Sequence, residues 1–383
     1  MLLLTMMKLM PLLLAIVLLS PLVAVRAGAL TLSSPLDYQV IQRTAQGRGV
    51  ISVTGQVTAA AAKSAVIEAR LIVAGKAGEW RRLAANLAPT GFQAQLDAPA
   101  GGWHRVEVRA IAAGQVLAEA AVEHVGIGEV FVIAGQSNAA NHGAEKQSTK
   151  TGLVVAYDGK RWQLANDPQP GASGGGGSFM PPFGDAMAGR FHVPVGIVAC
   201  GVGATSVREW LPKGATFPNP PTIESRVQRL PSGAWESQGQ AFETIVSRMK
   251  QLGPHGFRAV LWHQGESDAN QRDSTRTLPG KLYREYLEKV MRDSRRAIGW
   301  DAPWFVAQVS YHVPGDEASP DIRAAQASLW KDGLALEGPD SDALKGDWRE
   351  RNGQGVHFSG PGLREHAARW VEKVGPWLEP HLK

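Results

Sequence analysis

Residues 128–143, GEVFVIAGQSNAANHG, change character halfway along. Val130, Phe131, Val132, Ile133 and Ala134 form an apolar run of strand length. Gly135, Gln136, Ser137 and Asn138 follow it with no proline and no charge. An unbroken apolar run of this length fits a strand covered on both faces. The serine after it can be a turn residue or the N-cap of a following helix. It can also be a nucleophile. A serine hydroxyl attacks poorly until a nearby base takes its proton. The second reading therefore requires a base, an oxyanion hole and a group that orients the base, all from elsewhere in the chain.

Downstream of this stretch, apolar strand candidates alternate with helical ones. LVVAYDG, PVGIVAC, FRAVLWH and WFVAQVSY read as strands. PPFGDAMAGRF, QAFETIVSRMKQLG, GKLYREYLEKVMRDSRRAIG, DIRAAQASLWKDG and PGLREHAARWVEKV read as helices. In the third helix Leu282, Tyr286 and Val290 recur at helical spacing, as do Tyr283, Leu287 and Met291. Alternation of this kind predicts an α/β fold with a parallel sheet covered by helices on both faces. Sites in such sheets lie beyond the carboxyl ends of the strands. Upstream, residues 29–125 read differently. ISVTGQVT, AVIEARLIVA, GFQAQLDAPA and WHRVEVRAIA alternate with period two, and glycine or proline clusters separate several of them. That pattern predicts a small β-sandwich over 28–125, ahead of an α/β domain over 126–383.

Residues 1–27 read as a secretory signal, with Lys8, an apolar run and small residues before a cleavage point after Ala27. The mature chain is expected to be secreted or periplasmic, without stable membrane insertion, since no other stretch is long and apolar enough to span a bilayer. The 40 basic and 35 acidic residues are spread without a dense Lys/Arg block, which argues against a nucleic-acid partner. Cys200 is the single cysteine, so no internal disulfide framework exists. It reads as a packed thiol behind PVGIVAC. GASGGGGS, residues 171–178, reads as a flexible loop.

Polar clusters fall at the predicted strand ends. CGVGATSVREW follows the third strand, and its glycines 201 and 203 let backbone N–H groups approach a ligand. WHQGESDAN places His263, Gln264, Glu266 and Asp268 after the fourth. One imidazole among carboxylates lacks the two-histidine spacing of a zinc site. GVHFSGPGLREHA puts His357 just before a helix whose start is marked by Ser359 and Pro361, with His366 inside it.

In that order, the four blocks resemble the sialate O-acetylesterase and acetylxylan esterase branch of the SGNH hydrolases, from about residue 126 to the C-terminus. The resemblance implies a three-layer αβα sheet of flavodoxin-like form. It implies an esterase that removes O-acetyl groups from a carbohydrate such as sialic acid or xylan, through an acetyl-serine, with no metal and no organic cofactor. Ser137 matches the nucleophile and His357 the base. The backbone N–H groups of Ser137 and Gly203 match oxyanion donors, and the Gln264 side-chain amide matches a third. Two positions depart from the family pattern. Gly203-Ala204-Thr205 stands where Gly-Gly-Thr is usual. Gln354 stands three residues before the histidine, where many members have aspartate. Glu266 is the expected orienting acid, with Gln354, Asp342 and Asp347 as alternatives. Asn138, Arg208, Trp210 and Trp262 are expected to touch substrate. An O-acetyltransferase of the same fold, or a glycan-binding protein with a decayed site, are the rival functions.

Overall fold

Strict alternation decides the first part of the chain. In the computed structural model, which describes residues 29–45, 47–58, 65–83 and 91–382, the expected leader at 1–27 lies outside the described residues. Strands β1 (Ala29–Ser34), β3 (Arg48–Thr58) and β7 (Gly91–Pro99) form one antiparallel sheet. The short β2 (Gln39–Gln42) runs alongside β9 (Gln115–Gly135). Strand β4 (Val66–Val73) pairs with β5 (Lys76–Ala77), β6 (Arg81–Arg82) and β8 (Gly101–Ala112). Ile51, Val53, Phe92 and Leu96 from the first sheet share one core with Ile67, Val106 and Val108 from the second. Their period of two is why each strand presents one apolar face.

Strand β9 then does two jobs. Its first part pairs antiparallel with β8, and Glu129–Gly135 pairs in parallel with β12 (Val195–Ala199) and β16 (Ala259–His263). The expected boundary at 125/126 thus falls inside one unbroken strand of 21 residues. The result is a mixed α/β fold with one large mixed sheet. Its α/β portion has the order β11-β10-β12-β9-β16-β17-β18, where β10 is Val154–Tyr157, β11 Trp162–Leu164, β17 Trp304–Gln308 and β18 Leu336–Asp340. All neighbours are parallel except the β10–β11 edge.

The apolar run of β9 faces both ways. Val130, Val132 and Ala134 pack with residues of α2 (Gln240–Leu252), α3 (Gly280–Ile298) and α4 (Pro320–Lys331). Phe131 and Ile133 pack with α1 (Met180–Phe191) and the C-terminal helix Gly360–Leu378. Burying each of the valine, isoleucine and phenylalanine side chains contributes roughly 1.5–3 kcal/mol, and a one-residue slip would exchange the two faces. Among the described residues no helix is long and apolar enough to cross a membrane.

Two features carry no strand signal in the sequence. Leu336–Asp340 is an edge strand although LEGPD has no apolar run. Residues 216–237 form a small sheet of β13 (Thr216–Phe217), β14 (Val227–Arg229) and β15 (Trp235–Ser237), each too short for a readable period. The chain leaves β9 to build β10 and β12 on one side, then returns to build β16 on the other. The carboxyl end of β9 is therefore the point where the winding reverses, the usual place for a ligand in such sheets.

Candidate active site

Three strand ends are tied together around Ser137. The Cys200 N–H donates to Ile133 O at 2.8 Å, the Val202 N–H to Gly135 O at 2.9 Å and the Gln136 N–H to His263 O at 2.9 Å. Gly135 sits at φ 129, and a Cβ there would meet His263 O at 2.0 Å. Only glycine lets the chain turn so close to β16. Ser137–Ala139 then make one 3₁₀ turn, with Ser137 6% exposed and facing an open cleft of ≈ 970 Å³. His357 lines the same cleft. A second groove of similar size, between Arg43, Tyr157 and Trp300, lies away from these residues.

His357 is delivered by a hairpin. Arg349 and Phe358 bridge antiparallel, the Glu350 N–H donates to His357 O at 2.9 Å, and the Gly355 N–H donates to Glu350 O at 3.0 Å. Arg351, Asn352 and Gly353 all have positive φ (53, 55 and 84), which folds the two limbs together. Glu350 and His357 thereby become cross-strand neighbours, and Glu350 Oε1 lies 2.9 Å from His357 Nδ1. With Nδ1 bonded to the carboxylate, the imidazole keeps Nε2 as its free nitrogen. Burial lowers the His357 pKa below the usual 6.5, while Glu350 pulls it back up. A neutral imidazole is the form that can take a proton. Among the described residues no side chain is hydrogen bonded to the Ser137 hydroxyl. Such contacts are often long before substrate arrives.

Glu266 does not reach His357, so the expectation for it is corrected. Its Oε1 accepts from Asn138 Nδ2 at 3.0 Å and stands 4.0 Å from His263 Nδ1. Burial pushes the Glu266 carboxyl up to about 7, against the lowering effect of the Asn138 bond. It is thus no fixed negative charge near neutral pH. Asn138 also donates to Val356 O at 3.2 Å. Glu266 and Asn138 therefore tie the Ser137 turn to the residue before His357; Glu266 lines the cleft and Asn138 does not. Gln354 lines it but makes no hydrogen bond to His357; Asp342 is held by Ser310, Tyr311 and Arg323.

Gln264 is also corrected. It is fully buried, and its Nε2 donates to Asp268 at 2.7 Å, Thr205 O at 3.1 Å and Gln136 Oε1 at 3.2 Å. Those acceptors occupy the group that was expected to face an oxyanion. Arg208 is wholly buried, where it donates to Ser206 and to the carbonyls of Asn219, Pro220 and Arg276. Trp210 and Trp262 are also fully buried, packed edge to face at 5.1 Å. None of the three meets the cleft. Their adjacency in sequence to the site blocks reflects the core beneath the strand ends.

Gly203 does line the cleft, and its N–H donates to Ser173 Oγ at 2.6 Å. Ser173 Oγ lies 3.1 Å from His142 Nε2, and the His142 ring lies 5.4 Å from that of His357. Burial, then the charge of His357, lowers the His142 pKa, while Glu350 raises it. Glu350, His142, Ser173, Arg272, Arg351 and His312 are cleft residues that motif reading passed over. For Glu350 a signal existed: Asn352-Gly353 is a turn dipeptide between two short limbs.

A serine beyond a central parallel strand and a carboxylate-backed histidine on the same cleft are the parts that acyl-transfer hydrolases use. The family model described as carbohydrate esterase, sialic acid-specific acetylesterase, matches residues 127–374, and the chain belongs to that family. Its members' chemistry is the O-deacetylation of carbohydrates, so this chain is a carbohydrate acetylesterase acting on an acetylated carbohydrate. Among solved structures, a carbohydrate acetylesterase from Xanthomonas citri is 18% identical, with 91% of this chain and 76% of that chain covered and a TM-score of 0.51. That likeness is one of fold. A carbohydrate esterase family 2 enzyme with a carbohydrate binding domain, from Corynascus thermopiles (Myceliophthora fergusii), is 13% identical over 91% of this chain and 100% of that one, with a TM-score of 0.34. No curated protein matches the chain.

Proposed function

We propose that the chain is an exported serine esterase that releases acetate from an O-acetylated glycan through an acetyl-Ser137 intermediate. The observation that carries this is the Glu350–His357 pair, 2.9 Å apart, on the cleft that Ser137 faces. Ser137 Oγ attacks the acetyl carbonyl carbon while His357 Nε2 takes the hydroxyl proton. The carbonyl oxygen becomes an oxyanion, towards which the Ser137 and Gly203 N–H groups donate. Collapse breaks the bond to the sugar oxygen, and His357 returns the proton to that oxygen. Water then attacks the acetyl carbon with His357 again as base, the bond to Ser137 Oγ breaks, that oxygen takes the proton from His357, and acetate departs. Glu350 holds the Nδ1 tautomer and stabilises the imidazolium at both stages.

Arg272 and Arg351 line the cleft, and among the described residues neither has an ion-pair partner. Two unpaired guanidinium groups favour a sugar bearing a carboxylate, such as a sialic acid, over a neutral xylan. Residues 28–125 serve in this reading as an accessory β-domain. The test is acetate release across a panel of acetylated sialosides, uronates and xylans, with Ser137→Ala as control. Release that survives Ser137→Ala would reject the nucleophile, and a preference for neutral xylan would reject the acidic sugar.

A further inference from the structure

We propose that the side-chain amide of Gln136 is the third oxyanion donor, and that Gln264 acts only by holding it. This rests on the serine-esterase reading above. Gln136 immediately precedes Ser137, and its side chain is anchored from one end. Its Oε1 accepts the Ser267 N–H at 3.0 Å, the Gly265 N–H at 3.4 Å and Gln264 Nε2 at 3.2 Å. Two of these donors are backbone amides, which cannot act as acceptors. They settle which end of the amide is oxygen. The nitrogen must then point the other way.

Gln136 is 3% exposed and lines the cleft beside Ser137 and Gly203. Its Nε2 has no hydrogen-bond acceptor among the described residues, although the residue lines the cleft. An amide nitrogen anchored through its own oxygen end, without an acceptor, on a residue lining the cleft beside Ser137, is a donor available to negative charge. Gln264 presents the opposite case. It has three acceptors for Nε2 and no exposed surface. The chain Asp268–Gln264–Gln136 is therefore a support that ends at the oxyanion. It matters because the Gly203 N–H already has Ser173 Oγ as an acceptor in the free protein. The Ser137 N–H and Gln136 Nε2 are the donors that need no displacement.

The variants to test are Gln136→Glu and Gln136→Met, assayed with 4-nitrophenyl acetate at pH 8. Gln136→Glu keeps an oxygen for the Ser267 and Gly265 N–H groups but replaces the donor with an acceptor. Gln136→Met removes the donor and is neutral. Both should lower kcat and kcat/KM together by about a hundredfold or more, with KM nearly unchanged. Gln264→Met should cost less in kcat and lower the melting temperature, as befits a positioning residue. Melting curves for Gln136→Glu close to those of the unaltered protein would show that the loss is not unfolding. The proposal is overturned if folded Gln136→Glu keeps kcat within a few-fold, or if Gln264→Met loses the rate that Gln136→Met retains. Absence of Ser137-dependent turnover in the unaltered protein is a separate result, which would remove the esterase reading and this proposal with it.

Discussion

Residues 263–268 put four polar side chains at the end of a central strand, and His263, Gln264, Glu266 and Asp268 are each no more than 2% exposed. Residues 349–358 reach the same cleft on a hairpin, where the side chains of His357 and Glu350 are 24% and 16% exposed. Both segments bring a carboxylate near Ser137, but the surroundings give the two groups different work. Burial pushes Glu266 up to about 7, beside a His263 whose pKa burial lowers to about 3. The nearby Arg349 donates to the carbonyls of Leu344, Val356 and Ser341. A carboxyl raised to about 7 suits a hydrogen-bonded clamp better than it suits a permanent counter-charge. Glu350 touches the imidazole directly and is partly wetted. Proximity to a recognisable motif thus marks buried scaffold here, while the carboxylate bonded to His357 comes from a turn.

This contrast predicts an ordered set of effects. The largest is the difference between Glu350→Gln and Glu266→Gln. Loss of the acid behind a catalytic histidine lowers kcat by about 10⁴ in the serine-protease triad, and Glu350→Gln should approach that value. Glu266→Gln keeps an oxygen for Asn138, so a decrease of about tenfold or less is expected, from one weakened hydrogen bond. Steady-state kinetics on an acetyl ester decides between them. Equal losses would mean that both carboxylates serve the histidine.

Next in size is Gly355→Ala. A Cβ at Gly355 would lie 2.2 Å from Glu350 Cγ, so the acid must move from Nδ1. A fall in kcat of about a hundredfold is expected, since a displacement near 1 Å in a catalytic group can cost that much. A normal kcat in this variant would show that Glu350 need not stay where it is.

The pH profile provides a third test. His357 must be neutral to act as base, so activity falls on the acid side as it protonates. Burial lowers its pKa, and the acid limb should therefore lie below pH 6.5. Glu350 opposes that lowering, so Glu350→Gln should move the limb of the residual activity to lower pH. A shift to higher pH would contradict the assigned contact.

The smallest effects concern the cleft wall. Arg272→Ala and Arg351→Ala should each raise KM for an acidic sugar ester by up to about fivefold, the scale of an exposed charge pair. KM for 4-nitrophenyl acetate should stay unchanged. A matching change for the neutral ester would show that the arginines shape the cleft and do not bind charge.

Much of the α/β part was legible because its signals are local. β9, β12, β16 and β17 are apolar runs, and α1 to α4 and the C-terminal helix carry periodic faces. The short strands 216–217, 227–229 and 235–237 and the edge strand LEGPD have no such period. Of the residues that line the cleft, Ser137, Gly203, Glu266, Gln354 and His357 were legible, but not that Glu266 bonds to Asn138 instead of His357. Arg208, Trp210 and Trp262 neighbour the site blocks in sequence, yet side-chain direction turns them into the core. Glu350 lies outside the position three residues before the histidine, which Gln354 occupies. A longer side chain on the opposite limb of a turn fills the place from seven residues away, and only the pairing of Arg349 with Phe358 reveals it.

The central claim is that Glu350, and not Glu266, holds the catalytic histidine. Proton NMR of the Ser137 phosphonate adduct observes the His357 Nδ1–H directly, because a carboxylate-bound imidazolium proton resonates far downfield. That resonance should be present in the unaltered protein, persist in Glu266→Gln and vanish or move strongly upfield in Glu350→Gln. Its persistence in Glu350→Gln together with its loss in Glu266→Gln would contradict the account.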